Sequence, residues 1–243
     1  MTRSEQLAAQ IEPFDSFWEG PEDVEKGYAK FEAFYRENYL KHVTKDKNAR
    51  ILVISCGPGY FVKMLAKEGY GNAYGIDSVT EKVEWASRHG LKCQAARAFE
   101  HLNEQPDSSL DMIFCEQELN HLDKKEILEF LALCKRKLRS GGGLICHALN
   151  GANPITGAEA LAQNFDHYNS FTEYTMRQVL EHTGFTSVRV FPLNLYVFWR
   201  NPANYVLYGL VAVIHAVFRG LFIIYGKSNR LFTKKIGAVG SKA

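Results

Sequence analysis

Two glycines one residue apart, and an aspartate about twenty residues further on, are the first residues whose types and spacing suit chemistry. In Leu52-Val53-Ile54-Ser55-Cys56-Gly57-Pro58-Gly59-Tyr60 an apolar run gives way to a glycine turn. Gly57 and Gly59 let backbone approach a ligand with no Cβ between, and a helix beginning after them offers unpaired N–H groups. Asp77 ends the next apolar run, Gly75-Ile76-Asp77, where a carboxylate can accept hydrogen bonds from both hydroxyls of a ribose. The turn and the acid together describe a nucleoside site. The same placement serves a dinucleotide's pyrophosphate or the carboxylate of a nucleoside carrying an amino acid. A G-x-G-x-x-G dinucleotide fingerprint needs a third glycine where this chain has Val62, which argues against NAD. The plainer alternative is a tight turn, with Asp77 capping a helix near Thr80.

A second group of residues could do acid–base work. His121, His147, Asn150 and Asn153 follow apolar runs, and Asp166-His167 lies in the loop beyond. In open α/β sheets ligands bind at the carboxyl ends of strands, so these residues are expected near one crevice. Imidazole titrates near neutrality, which makes His121 or His167 a workable base, with Asp166 orienting a ring. Ordinary capping or hydrogen-bonding roles remain open for His121 and His147. His121, His147, Asp166 and His167 are too irregularly spaced for a compact ligand motif, so no metal is expected.

These residues need elements to position them. Ile51–Ile54, Ala73–Ile76, Leu110–Cys115 and Leu144–Ala148 read as strands; Tyr60–Lys67, Thr80–His89 and Lys124–Leu138 read as helices, the last stopped by Ser140-Gly141-Gly142-Gly143. Strand and helix in alternation predict an α/β, Rossmann-like, mostly parallel sheet with helices on both faces. Ser170 or Thr172 can cap a helix running towards Gly184, and Ser187–Pro192 and Ile236–Val239 read as two further strands, six named in a sheet expected to hold seven, the last two an antiparallel pair. Residues 1–48 read as an N-terminal helical lid, 49–192 as the core and 193–243 as an apolar helical extension with a final strand. Val24, Tyr28, Phe31, Phe34, Tyr35 and Tyr39 recur at helical spacing. Phe14, Phe17, Trp18, Tyr28 and Tyr35 could cover a ligand or be ordinary core.

Composition narrows the classes. The 243 residues carry 29 basic and 27 acidic side chains, a net +2, so no broad cationic surface for nucleic acid is expected. Five singly placed cysteines suit reduced thiols, and the polar start lacks a secretory apolar run, so the expected location is cytoplasmic. Asn204–Tyr225 is long enough to raise a membrane span, but His215 and Arg219 lie on one face of it. The expectation is packing against the N-terminal helices or, through residues 203–225, a homodimer, with peripheral membrane contact as the alternative.

From Ile51 to Gly184 the chain resembles the class I S-adenosylmethionine-dependent methyltransferases, especially the branch found in bacterial surface-polysaccharide and O-antigen biosynthesis. Cys56-Gly57-Pro58-Gly59 is similar to the first motif and Gly75-Ile76-Asp77 to the ribose-binding acid. Leu138-Arg139-Ser140-Gly141-Gly142 resembles the LxxGG turn, Leu119-Asn120-His121-Leu122 the LEHL segment, and Ser170-Phe171-Thr172 to Gly184-Phe185 the SFT…GF segment. Ala238-Val239-Gly240-Ser241-Lys242 is similar to the branch's AVGRK strand.

The resemblance implies S-adenosylmethionine held by Ser55, Cys56, Gly57, Gly59, Phe61, Asp77, Ser78, Ala98, Phe99 and Glu116. It implies catalysis by His167, His121 and Asp166, and an acceptor hydroxyl on a sugar, nucleotide-sugar or glycan met by His147, Asn150 and Asn153. The chain departs from the pattern at Val53 and Gln117, where an acid is usual, at Ser55, where a glycine is usual, and at Arg97, where an aspartate is common. A catalytically silent binding subunit, or a methyltransferase acting on a lipid or other small molecule, therefore stays open.

Overall fold

The computed structural model describes residues 21–116, 118–162, 164–194 and 203–243, together with Gln6 and Asn201. Phe14, Phe17, Trp18 and Gln117, singled out above, lie outside the described residues. Seven strands form one sheet: β1 (Ile51–Ile54), β2 (Ala73–Asp77), β3 (Cys93–Ala95), β4 (Leu110–Glu116), β5 (Leu138–Leu149), β6 (Thr186–Pro192) and β7 (Lys235–Ser241). Their order is β3-β2-β1-β4-β5-β7-β6, with β7 antiparallel to both neighbours and the other pairings parallel. This is the Rossmann-like arrangement expected.

The helices are α1 (Pro21–Tyr39), α2 (Tyr60–Lys67), α3 (Thr80–Arg88), α4 (Ala98–Glu104), α5 (Glu118–His121), α6 (Lys124–Lys137), α7 (Glu159–Ala162), α8 (Glu173–His182) and α9 (Ala203–Ile224). Strand residues alternate between the two faces of the sheet. Leu52, Ile54, Ile113, Cys115, Leu144 and Cys146 pack with α6 and α8 through Phe130, Leu131, Met176 and Leu180. On the other face Ile51, Val53, Met112, Phe114 and Ile145 meet α1 and α2 through Tyr28, Tyr35, Tyr39, Phe61 and Leu65. Capping boxes fix the starts of α6, at Asp123 with Glu126, and of α8, at Thr172 with Thr175. Each such cap contributes about 1 kcal/mol.

The aromatic stripe of α1 belongs to this core. A Cβ at Gly27 would stand 2.3 Å from the Tyr60 hydroxyl, so the missing side chain lets Tyr60 reach Val24 O at 3.1 Å, while Phe31 stacks on Tyr60 with ring centroids 5.0 Å apart. Three expectations change. β3 is a short, half-exposed edge strand. β5 begins at Leu138, so Ser140-Gly141-Gly142-Gly143 lies within a strand beside a register irregularity between Leu110 and Met112. The expected burial of α9 against the N-terminal helices is not found: none of its residues is buried, and among the described residues its ring contacts beyond the helix are to Phe232.

Candidate functional site

The carboxyl ends of the central strands bring one row of residues together. Glu116 faces His147 across β4 and β5, His147 faces Gly237, and Asp77 faces Ala95. Continuing the registers Ile54↔Ile76 and Ile54↔Cys115 by one residue sets Ser55 between Asp77 and Glu116. Two carboxylates thus flank the turn that leaves β1.

That turn is built by backbone conformation. Ser55, Gly57 and Gly59 all have positive φ, at 55°, 53° and 82°. Ser55 stands in the left-handed geometry that the glycine usual at this position would adopt without strain, and its Oγ donates to Glu118 Oε2 at 2.5 Å. The Asp77 carboxylate faces the turn: Oδ2 accepts from the Gly57 N–H at 2.8 Å and Oδ1 from the Val79 N–H at 2.9 Å. A Cβ on Gly57 would meet nothing within 4 Å, which leaves open space over the turn beside that carboxylate.

The two glycines therefore differ. A Cβ on Gly59 would lie 2.8 Å from Leu91 Cδ1 and 3.2 Å from both Ala86 Cβ and Cys93 Sγ, so Gly59 is there for packing and φ rather than to admit a ligand. Cys56 is also turned inward, its side chain against Gly75, and Phe61 is core, its ring centroid 4.2 Å from that of Phe114. A side chain at each of these three positions, all expected at the cofactor, faces protein. Ser78 is exposed, and Ala98 and Phe99 open α4 half-buried.

α1 reaches the site with two hydroxyls. Tyr28 donates to Pro58 O at 2.7 Å, and Tyr35 to Glu116 Oε2 at 2.5 Å. Burial raises the Glu116 carboxyl above its ordinary 4.5, and burial followed by the Glu116 charge raises Tyr35, so the phenol remains the donor of the pair. The helical periodicity of Tyr35 gave no sign of this partner.

The expected acceptor ligands are corrected by burial. His147 is 0% exposed within β5; Tyr39 Oη lies 2.6 Å from its Nδ1, Glu116 Oε1 is 3.9 Å from its Nε2, and burial pushes its pKa well down. Its Nε2 makes no hydrogen bond, and burial disfavours the charged ring. Asn150 donates to Leu231 O and Thr233 O at 3.0 and 2.8 Å and accepts from the Ala152 N–H. Asn153 donates to Phe232 O at 2.6 Å and accepts from Ile155 and Thr156 N–H groups. Both asparagines are spent on holding loops.

His121, Asp166 and His167 do meet. Asn120, wholly buried, ties the end of α5 to the later loop: its O accepts from Tyr168 N–H at 2.9 Å, and its Nδ2 donates to Asn169 O at 2.6 Å. Asn169 Nδ2 returns a bond to Leu122 O. That lacing sets His121 Nδ1 3.0 Å from Asp166 Oδ2 and the rings of His121 and His167 4.8 Å apart. The hydrogen bond from His121 holds the Asp166 carboxyl below its ordinary pKa, while burial lowers that of His167. His167 places Nδ1 2.7 Å from Ala160 O and Nε2 3.3 Å from Asn164 Nδ2. Each of the three offers one ligand atom within 4.8 Å of the others, a closeness the sequence spacing concealed. Asn120, Asn169 and Tyr35 are the residues that sequence reasoning missed in this role.

Comparison with known proteins bears on the fold that carries these residues. Residues 51–142 match the family model described as a methyltransferase domain. Among curated proteins the chain is 27% identical over 151 residues to the ubiquinone biosynthesis O-methyltransferase of Xylella fastidiosa strain M23, covering 58% of this chain and 59% of that protein. It is 26% identical over 184 residues to the protein of the same name from Xanthomonas axonopodis pv. citri, covering 70% and 75%. The chain thus spans about 59% of the length of the first curated relatives it matches. A solved S-adenosylmethionine-dependent methyltransferase from Archaeoglobus fulgidus superposes with a TM-score of 0.67 at 21% identity, over 94% of this chain and 98% of the other. Phosphoethanolamine N-methyltransferase 2 of Haemonchus contortus, in complex with S-adenosyl-L-methionine, superposes with a TM-score of 0.60 at 16% identity, over 96% and 60%. The structural likenesses establish the methyltransferase fold.

Proposed function

We propose that the chain is an S-adenosylmethionine-dependent methyltransferase that methylates a hydroxyl group on a small-molecule acceptor. The observation that carries this reading is the open backbone over Gly57 with the Asp77 carboxylate fastened to the same turn. The donor set fits the cofactor: Asp77 accepts from ribose hydroxyls, Glu116 receives the ammonium of the amino-acid end, and backbone at Ala98 and Phe99 borders the adenine. Glu116 supplies the negative charge that Val53, buried in the core, does not. When bound, the cofactor supplies a methyl group on a sulfonium, an electrophile that needs alignment more than acid–base help.

The chain's own contribution is one base and its orientation. Asp166 accepts from His121 and orients its ring, and His121 is the base in this reading, taking the acceptor's hydroxyl proton. His167, engaged at both nitrogens, holds the loop. A glycan acceptor is supported by the sequence resemblance to polysaccharide enzymes, and a lipid or quinol acceptor by the names of the curated relatives. Exposed Phe165 and Tyr168, on either side of Asp166-His167 in the chain, favour an amphiphile. The five cysteines, all free thiols, support a cytoplasmic location.

Calorimetry with S-adenosylmethionine, followed by methyl-transfer assays across sugar nucleotides, lipid-linked sugars and quinols, tests the proposal. Binding with label transferred to one hydroxyl class is expected; no heat at millimolar cofactor would reject it. A second reading, a binding subunit without turnover, is favoured by Val53 and by the left-handed Ser55. It requires cofactor binding with no labelled product.

A further inference from the structure

α9 is a 22-residue helix, Ala203–Ile224, that no other part of the described chain buries. Val211, His215, Phe218 and Phe222 are partly covered and mark the side towards the body, where Phe232 lies 4.8 Å from Phe222 between ring centroids. Opposite them Val206, Leu210, Val213, Val217 and Ile224, spaced as one helical face, are 65%, 56%, 63%, 55% and 79% exposed. A water-facing apolar stripe of this length is unfavourable by about 25 cal/mol for each Å² left wet, so the stripe marks a contact surface.

The topology decides how a membrane could meet it. The segment leaves the sheet after Pro192 and re-enters at Lys235, and Pro192 pairs directly with Ile236. Both ends of the excursion therefore start from the same edge of the same sheet. At about 1.5 Å per residue α9 is some 33 Å long, enough to span a bilayer core of about 30 Å. A span would oblige residues 225–234 to return through hydrocarbon without helix, carrying Lys227, Ser228, Asn229 and Arg230. The return is instead fastened to the body: Tyr174 Oη donates to Ser228 O at 2.8 Å, and Glu173 accepts from the N–H groups of Arg230 and Leu231 at 3.1 and 3.0 Å. A crossing is incompatible with those bonds.

Charge selects the lipid. No aspartate or glutamate follows Glu181, whereas Arg219, Lys227, Arg230 and Lys234 lie on or just after the helix. Arg219 is two residues from Val217 and so projects from the opposite side, where its guanidinium meets headgroups while the stripe enters acyl chains. Tyr205, Tyr208 and Tyr225, all exposed at the helix ends, suit the boundary between the two.

From these features we infer that α9 lies in the plane of a membrane, sunk into one leaflet of an anionic bilayer. β6 ends and β7 begins at the carboxyl edge of the sheet, the edge that carries Asp77, Glu116 and the His121–Asp166 pair. Docking sets the acceptor side of the site against the lipid surface, and the acceptor reaches it from the bilayer. The docking stands on the helix alone; the acceptor's route rests on the methyltransferase reading.

The test is flotation of the full chain with vesicles of phosphatidylglycerol and phosphatidylcholine, and with phosphatidylcholine alone. At least about tenfold stronger binding to the anionic vesicles is expected, lost in the triple variant L210D/V213D/V217D, whose S-adenosylmethionine affinity by calorimetry stays at wild type. Nitroxides placed at Val206, Val213 and Ile224 should report one depth. No flotation, a lipid-free dimer that the triple variant dissociates, or depths graded across both leaflets would each overturn the inference. Loss of cofactor binding in the wild-type chain would instead strike the catalytic reading and leave the docking intact.

Discussion

Adding one methyl group at Gly57 separates a ligand-binding role from a structural one. Gly57 has φ 53° and nothing within 4 Å of a built Cβ, so Gly57→Ala meets no protein atom and costs only the left-handed backbone strain of an L residue, about 1 kcal/mol. For a chain of this size that lowers Tm by about 2–4 °C. The methyl enters the open space over the turn, and the affinity for S-adenosylmethionine should fall at least about tenfold, or about 1.4 kcal/mol. Gly59→Ala makes the contrast: the strain is similar, but contacts of 2.8 Å with Leu91 and 3.2 Å with Ala86 and Cys93 add roughly 1–3 kcal/mol of overpacking. Thermal unfolding and calorimetry on both variants should rank them in opposite orders, Gly59→Ala losing more stability and Gly57→Ala more affinity per kcal/mol of stability lost. Wild-type affinity in a folded Gly57→Ala protein would refute the placement of the cofactor over this turn.

Other outcomes follow from the same geometry. His121→Ala should lower kcat by about 10²–10⁴ with cofactor affinity unchanged, and His167→Ala should stay within a few-fold of wild type once folded; the reverse ranking in single-turnover assays would move the base to His167. Chelator treatment should leave turnover intact, and loss restored by one added divalent cation would show that His121, Asp166 and His167 act as metal ligands instead. Glu116→Gln should weaken cofactor binding more than Tyr35→Phe, because the first removes the charge and the second one hydrogen bond to it, as calorimetry would report. His42 stacks 4.2 Å from Phe191, and burial lowers its pKa from 6.5 to about 4. The unfolded chain takes up a proton that the folded chain refuses, so stability falls as pH drops from about 6.5 to about 4, and His42→Phe should flatten that slope in urea titrations.

What could be read in advance depended on periodicity. Ile51–Ile54 is buried at all four positions, and a continuous apolar run is the pattern of a central parallel strand. Cys93–Ala95 is a three-residue edge with intermediate to exposed side chains, and it offers neither alternation nor a run. Asn150 and Asn153 follow β5 as expected, whereas His147 lies within it, and local spacing does not reveal that Tyr39, Leu231 and Phe232 arrive from far along the chain to occupy the three. The meeting of His121 with Asp166 depends on Asn120 and Asn169 across 49 residues, a contact with no local signal. The glycine turn was legible as a motif, while the division of labour between Gly57 and Gly59 appeared only with their neighbours.

The position of β7 between β5 and β6 has a bearing on how the chain folds during synthesis. β6 pairs only with β7, so it emerges from the ribosome before the strand that joins it to the sheet, and the apolar α9 emerges between the two. Until residues 235–241 arrive, the row of N–H and C=O groups along β5 from Gly143 to Leu149 has no partner on that side. An unpaired strand edge beside an exposed apolar helix invites adhesion between nascent chains, so the interval before β7 inserts is when this polypeptide most depends on a chaperone or a nearby bilayer.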